Sequence, residues 1–279
     1  MAATAAAPAP AQPAEPATSP LAVDLRADLP VTLSAALLAG GLQLGREAIV
    51  GERCAPGCDE DGVNAVDRPF AGRYSAAAAT ASDVLVGLNL ALPVALDGLE
   101  LALGMHPDGP AGFGEDSLIL AETLAVTIGL QSAVAITVQR PRPLTYGDGA
   151  DLGARRSASA YLSFYSGHTS CSFAAATAYA YLFGVRHPRS PLRAGIWALG
   201  EGLAAIDGSL RVAAGYHFPT DVLVGAAVGT SVGLLVPWLH ARRDDGTARA
   251  EGTAGRGTSA WLLVPAPLPG GFGVTLLAL

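Results

Sequence analysis

The stretch S-F-Y-S-G-H-T-S, from Ser163 to Ser170, places a serine, a glycine and a histidine at the start of an apolar run of helical length. The backbone N–H groups at a helix N-terminus point outward, and the helix dipole favours an anion there. We therefore predict that Ser166, Gly167 and His168 hold phosphoryl oxygens at the beginning of a helix.

A second stretch, L-R-V-A-A-G-Y-H-F-P-T-D from Leu210 to Asp221, brings further groups that suit phosphate chemistry to the start of another helix. Arg211 offers a planar fork for paired oxygens, and His217 is followed closely by the carboxylate of Asp221. Pro219 occupies a favoured position in the first helical turn. The two stretches together predict a phosphate-handling site around which the rest of the chain is organised.

These stretches and an earlier one resemble the motifs of the type 2 phosphatidic acid phosphatase family, which shares its fold with vanadium haloperoxidases and bacterial acid phosphatases. The family pattern is K-x-x-x-x-x-x-R-P, then P-S-G-H, then S-R-x-x-x-x-x-H-x-x-x-D. The corresponding segments here are A-I-T-V-Q-R-P-R-P (Ala135 to Pro143), Y-S-G-H (Tyr165 to His168) and the stretch from Leu210 to Asp221. Ala135, Tyr165 and Leu210 replace the family's lysine, proline and serine. The resemblance covers roughly residues 80 to 240, and its order and spacing make it more specific than any single motif.

The resemblance implies a metal-independent phosphatase that acts on a lipid phosphate or diphosphate, such as phosphatidic acid or a polyprenyl diphosphate, and needs no cofactor. It assigns His217 as the nucleophile that forms a phosphohistidine, and Asp221 as the acceptor of a hydrogen bond from the other ring nitrogen. His168 is assigned to protonate the leaving alkoxide and then to activate water. The phosphate-binding set implied by the resemblance is Arg142, Ser166, Gly167 and Arg211.

Ala135 cannot supply the positive charge of the family's lysine. On a helix that ends at the first motif, Ala135, Gln139 and Arg142 share a face, so Gln139 is a candidate neutral donor. Arg140, Arg155 or Arg156 are candidates for the missing charge. If no group replaces the lysine, the loss of one oxyanion contact lowers the rate on the order of a hundredfold.

The composition independently indicates a membrane protein. Hydrophobic residues make up 51% of the 279 residues, charged residues only 15%, and the mean hydropathy is +0.38. Soluble domains usually contain about a quarter charged residues. The net charge of -7 argues against a nucleic-acid partner.

The order of apolar segments predicts an all-α fold, a membrane-embedded bundle of about six helices spanning residues 28–241. Residues 1–27 are predicted to be a disordered Ala/Pro-rich tail, and residues 242–279 a linker followed by a short β-hairpin. Glycines 225, 229 and 233 recur every four residues and predict close helix packing. His106, His187 and His240 are interpreted as packing residues.

The spacing of Cys54 and Cys58 permits a short disulfide if the loop faces an oxidising compartment, and an unpaired surface loop is the alternative. Zinc is disfavoured because further Cys or His ligands are absent nearby. By family analogy, we expect a bacterial inner-membrane protein with its site on the extracytoplasmic face. Two other functions stay open, a non-catalytic protein that binds lipid phosphate and a soluble enzyme of the haloperoxidase or acid phosphatase type.

Overall fold

The computed structural model describes residues 19–51, 54, 57–242, 261–268 and 271–278. Within these residues the chain forms seven α-helices: α1 (Leu25–Ile49), α2 (Ala76–Ala102), α3 (Gly109–Val138), α4 (Leu152–Arg156), α5 (Gly167–Arg186), α6 (Arg193–Ala213) and α7 (Pro219–His240). Short 3-10 helices cover Glu60–Gly62, Arg68–Phe70, Pro143–Tyr146 and Ala158–Tyr161. The predicted all-α bundle is therefore confirmed, with six long helices and the short α4 in addition.

Helix α5 is the central helix of the bundle. It packs against α2, α3, α6 and α7, and most of its residues are buried. The glycine stripe of α7 lies against it, because a Cβ atom at Gly229 would approach the carbonyl oxygen of Ser170 to 2.2 Å. Gly225 and Gly233 make similar close approaches to Ser166 and Ala174. The stripe thus brings the start of α7 against the start of α5, where the two histidine motifs lie.

Helix α1 packs on α3 through small residues. A Cβ atom at Gly129 would lie 3.1 Å from the carbonyl oxygen of Ala35, and Gln43 donates a hydrogen bond to Ser132 at 3.4 Å. The helix begins at Leu25, three residues before the predicted start of the bundle at residue 28, because the carboxylate of Asp24 caps it, accepting from the backbone N–H of Arg26. The longer helix reaches the end of α3 that carries the first motif.

Four helices, α1, α2, α3 with its extension to Tyr146, and α7, are long and apolar enough to cross a membrane. Large apolar side chains such as Leu37, Leu44 and Val84 point outward from the bundle and are more than half exposed. An exposed apolar surface of this kind suits contact with lipid. These features identify an integral membrane protein.

At the end of the bundle opposite the motifs, polar side chains are buried in ion pairs. Arg186 of α5 bridges both carboxylate oxygens of Asp116 and also pairs with Asp108 and Glu115. Two buried groups here offer a histidine with two carboxylates: Asp97, His106 and Asp116, and Asp28, Glu122 and His240. They tie the helix ends together, in line with the packing roles interpreted for these histidines.

The remaining described residues form a separate compact unit. Trp261–Leu268 and Gly271–Ala278 pair as antiparallel strands β1 and β2, in register from Trp261 with Ala278 to Leu268 with Gly271. The strands lie where the sequence predicts a hairpin. The predicted N-terminal tail, up to Thr18, and the linker at 243–260 lie outside the described residues.

Candidate active site

The three motifs meet at a cavity of about 130 Å³ at one end of the bundle. It is lined by the motif residues Arg142, Gly167, His168, Arg211 and His217, together with Gln43, Arg46, Gln131, Ser132, Ala135, Ser159 and Leu162. Within the described part of the chain, these lining residues include three arginines and two histidines but no carboxylate. Such a cavity has the electrostatic character of an anion site.

The N-terminus of α5 opens into this cavity at Gly167. Ser166 is the N-cap: its hydroxyl oxygen accepts hydrogen bonds from the backbone N–H of Thr169 at 3.4 Å and from the Thr169 hydroxyl at 2.8 Å. A Cβ atom at Gly167 would lie 3.2 Å from the amide carbon of Gln131. The structure therefore gives Ser166 a capping role, and it leaves the backbone at Gly167 close to the cavity.

His217 lies in the loop between α6 and α7, buried and with a defined tautomer. Its Nδ1 atom is 2.7 Å from the carbonyl oxygen of Ser163, which can only accept, so Nδ1 carries the proton. Burial, and then the charges of Arg142 and Arg211, hold the pKa of His217 well below its ordinary value. The ring is therefore neutral near pH 7, with Nε2 unprotonated and suited to nucleophilic attack.

The predicted hydrogen bond between Asp221 and His217 is wrong. The carboxylate of Asp221 instead accepts from the Ser163 hydroxyl at 2.6 Å, from the backbone N–H of Phe218 at 2.9 Å and from Arg140 at 2.5 Å. Asp221 is fully buried, and its bond from Phe218 caps the N-terminus of α7. It therefore orients His217 indirectly, because it fixes Ser163, whose carbonyl oxygen holds the imidazole.

The two auxiliary candidates, Gln139 and Arg140, are not among the residues that line the cavity. Gln139 is the C-cap of α3 in the left-handed conformation, with φ of 48°. Arg140 points toward Asp221 and Asp67, with Nη2 2.7 Å from the Asp67 carboxylate, and its guanidinium stacks on the ring of Phe218. Arg140 thus neutralises buried carboxylates rather than supplying the missing charge.

Asp67, which sequence reasoning did not single out, anchors this network from the loop before α2. It is fully buried and accepts from Arg140, from Asn64 at 2.7 Å and from the hydroxyl and backbone N–H of Thr220. Burial raises the pKa of Asp67, but the hydrogen bonds from Arg140, Thr220 and Asn64 outweigh it and hold the pKa below the ordinary value of 3.8. The carboxylate is thus ionised and bound at neutral pH.

We expect Asp67→Asn to destabilise the protein by about 2 kcal/mol at pH 7, because it removes the buried charge partner of Arg140. A carboxylate with a lowered pKa contributes stability above its unfolded pKa and loses it as the pH falls through the folded value. The difference in melting temperature between native and variant protein should therefore shrink below about pH 4. Asp148→Asn, at an exposed acid, is the matched control. Equal melting of native and Asp67→Asn protein at pH 7 would contradict the assigned role.

Arg142 and Arg211 both lie against the ring of Tyr216. Their guanidinium carbons lie 5.0 and 4.4 Å from the centre of its ring. The Nε atoms of both arginines are buried and have no hydrogen-bond partner among the described residues. Buried charged donors without partners are costly, and an anion in the cavity would satisfy them. These two arginines are therefore the strongest structural indication of a phosphoryl site.

Asp83 of α2 links the second histidine to this pair. Its carboxylate oxygen lies 3.0 Å from Nε2 of His168 and accepts from Arg211 at 3.0 Å. Arg211 also donates to the Ser82 hydroxyl at 2.9 Å. The sequence reasoning did not assign a role to Asp83. The structure identifies it as the residue that orients both His168 and Arg211.

A disulfide between Cys54 and Cys58 lies at the same end of the bundle. The backbone N–H of Cys58 donates to the carbonyl oxygen of Thr145 at 3.0 Å, three residues after Arg142 of the first motif. Of the alternatives left open by the sequence, the structure therefore contains the disulfide. Disulfides persist in oxidising compartments.

Comparison with known proteins agrees with the motifs. Residues 116–245 match the model of the PAP2 superfamily. The matched region contains the residues of all three motifs, so the resemblance to the type 2 phosphatidic acid phosphatase family is confirmed. Helices α1 and α2 precede the matched region.

Two individual relatives are similar to the chain. A lipid A 1-phosphatase of Porphyromonas gingivalis is 38% identical over 79 residues, which are 28% of this chain and 16% of that protein. A transmembrane PAP2 type phosphatidylglycerolphosphate phosphatase from Bacillus subtilis has a crystal structure that covers 80% of this chain and 98% of its own, with 20% identity and a TM-score of 0.47. The chain thus spans about a sixth of the length of the curated relative that it matches.

Proposed function

We propose that the protein is a metal-independent phosphatase that hydrolyses a lipid phosphate or diphosphate through a phosphohistidine intermediate. The observation that carries the proposal is the neutral His217, with Nδ1 bonded to Ser163, beside two buried arginines whose Nε atoms have no partner among the described residues. A nucleophile and the cations for its substrate therefore share one cavity. The relatives, by their names, also act on phosphates carried by lipids.

In the first step, Nε2 of His217 attacks phosphorus and the bond from phosphorus to the lipid oxygen breaks. The departing alkoxide takes a proton from His168, which first receives that proton from the monoanion of the substrate. Arg142, Arg211 and the backbone N–H at Gly167 hold the equatorial oxygens, where negative charge is spread in the transition state. Asp83 keeps His168 and Arg211 aligned during this step.

In the second step, His168 accepts a proton from water, and the resulting hydroxide attacks the phosphohistidine. The bond between phosphorus and Nε2 breaks, and inorganic phosphate leaves with the neutral imidazole restored. The Nδ1 proton stays on His217 throughout, donated to the carbonyl oxygen of Ser163, which keeps Nε2 available for the next turnover. No step requires a metal ion.

The membrane topology proposed here puts the cavity on the extracytoplasmic side of a bacterial inner membrane. The disulfide of Cys54 and Cys58 supports this, because it is bonded through Cys58 to Thr145 at the cavity end and needs an oxidising compartment. Apolar helices around the cavity suit a substrate that arrives from the bilayer. The lipid phosphate is thus the proposed partner, with the membrane as the site of reaction.

The test is release of inorganic phosphate from phosphatidic acid and from a polyprenyl diphosphate in detergent, with and without a metal chelator. We expect release from at least one lipid at the same rate in both conditions. Release that the chelator abolishes would contradict the metal-independent mechanism. Absence of release from either lipid would favour the non-catalytic binding protein, for which Ala135 in place of lysine is the supporting feature.

A further inference from the structure

Arg46 of α1 brings a positive charge to the position where the family motif has lost one. Arg46 and Ala135 line the same cavity as Arg142 and Arg211. Val50, which caps the C-terminus of α1 four residues after Arg46, packs in the same buried cluster as Ala135. The last turn of α1 therefore lies directly beside the position that holds lysine in the family pattern.

The sequence of α3 explains how α1 comes so close. Gly129, Ser132 and Ala135 are spaced by three residues, so they fall near one face of the helix. Gly129 meets the backbone of α1, and Ser132 accepts the hydrogen bond from Gln43. Ala135 is only 2% exposed, so a lysine there would have to extend into the cavity space that Arg46 lines.

The other arginines considered for this role, Arg140, Arg155 and Arg156, are not among the residues that line the cavity. Arg140 pairs with Asp67 and Asp221, and Arg155 donates to the carbonyl oxygen of Gly147. Among the described residues, the Arg46 side chain contacts Gln43 at 3.3 Å and Glu47 at 3.6 Å, and it is 40% exposed. Exposed ion pairs of this kind contribute little, so a phosphoryl anion competes with them easily.

We propose that Arg46 replaces the missing lysine and contacts the phosphoryl group that Arg142 and Arg211 hold. This inference rests on the proposed phosphatase function and adds to it a residue from outside the matched family region, which begins at residue 116. Helix α1, which precedes that region, is then part of the substrate site. The arginine fork also permits two bonds to one phosphoryl group, where a lysine acts as a point charge.

The first experiment compares Arg46→Lys, Arg46→Gln and Arg46→Ala with the native protein on the lipid substrate. We expect Arg46→Gln and Arg46→Ala to lose roughly ten- to a hundredfold in kcat/KM, and Arg46→Lys to keep most of it, because the charge rather than the packing is required. Arg26→Ala, on the same helix but exposed at its other end, should behave like the native protein. Equal activity of Arg46→Lys and Arg46→Gln would overturn the proposal.

A second experiment tests the replacement directly. Ala135→Lys in the Arg46→Gln background should recover activity, because the lysine returns to its family position. Ala135→Lys alone serves as the control that the longer side chain is accommodated. If that control is active while the double variant is no better than Arg46→Gln, the two positions are not equivalent and the proposal fails.

Binding of inorganic phosphate, measured by calorimetry, separates this proposal from the proposed function. We expect the native protein to bind phosphate and Arg46→Gln to bind it at least tenfold more weakly. If the native protein shows no turnover but its phosphate binding depends on Arg46, the phosphatase function is refuted and the Arg46 site is retained. If the native protein shows turnover and both its rate and its phosphate affinity are unchanged in Arg46→Gln, only the proposed role of Arg46 is refuted.

Discussion

His217→Ala is expected to reduce phosphate release by a factor on the order of 10⁴ or more, because it removes the proposed nucleophile of the two-step reaction. Nothing else in the cavity replaces it. Among the described residues, His168 is the only other histidine that lines the cavity. It is held by Asp83, and its proposed role is to protonate the leaving group. The measurement is phosphate release from the lipid substrate in detergent under single-turnover conditions.

A covalent intermediate gives this prediction a second readout. Rapid quenching of the native protein with substrate labelled in the phosphoryl group should trap label on the protein through a bond that acid breaks and base does not, as expected for phosphorus bonded to nitrogen. His217→Ala should trap none. His187→Ala, at the opposite end of the bundle and paired with Glu100, is the matched control and should label like the native protein. Label retained on His217→Ala would assign the nucleophile elsewhere.

The bundle and the meeting of the three motifs could be predicted from the sequence because both depend on local signals. Long apolar runs set the helices, and Pro219, Ser166 and the glycine stripe set where α5 and α7 begin and how they pack. In an alternating helical path, the end of α3 and the starts of α5 and α7 emerge on one side. Residue spacing within each motif, together with the order of the helices, was therefore enough to predict that the motifs meet at one cavity.

The network behind His217 could not be predicted, because it joins residues far apart in the chain. Asp67 contacts Arg140 and Thr220 from a loop whose acidic composition indicates only a solvent-exposed segment. Ser163 contributes its carbonyl oxygen, and a contact made by a backbone atom cannot be predicted from the type of residue. The predicted hydrogen bond between His217 and Asp221 was wrong for this reason.

Gln131 was missed although a local signal existed. It lies four residues before Ala135 and eight before Gln139, so the three share a helical face, but it precedes the first motif, which begins at Ala135. Gln131 lines the cavity and donates to the carbonyl oxygen of Tyr165 at 3.0 Å. Gln139 failed as a candidate because the helix ends there in a left-handed residue, which turns the chain away.

His168→Ala is expected to slow hydrolysis of a lipid phosphate by roughly 10²- to 10⁴-fold, because the alkoxide then leaves without a proton. An aryl phosphate with a good leaving group needs no such proton in the first step. Its rate of covalent labelling should therefore fall far less than that of the lipid substrate. Equal losses with both substrates, measured by rapid quenching, would contradict the role of His168 as general acid.

The source of the proton gives this prediction a pH dependence. His168 lies at the N-terminus of α5, outside the four candidate spans, and burial followed by the charge of Arg211 lowers its pKa to about 4 despite the opposing effect of Asp83. In the empty cavity near pH 7 the ring is therefore neutral, so the proton must arrive with the substrate. The second pKa of a phosphate monoester is about 6, and its monoanion carries that proton. The kcat/KM of the native protein on a lipid monophosphate should consequently fall as the pH rises above about 6. His168→Ala should lose this dependence, because without the imidazole the proton of the monoanion has no relay to the leaving oxygen.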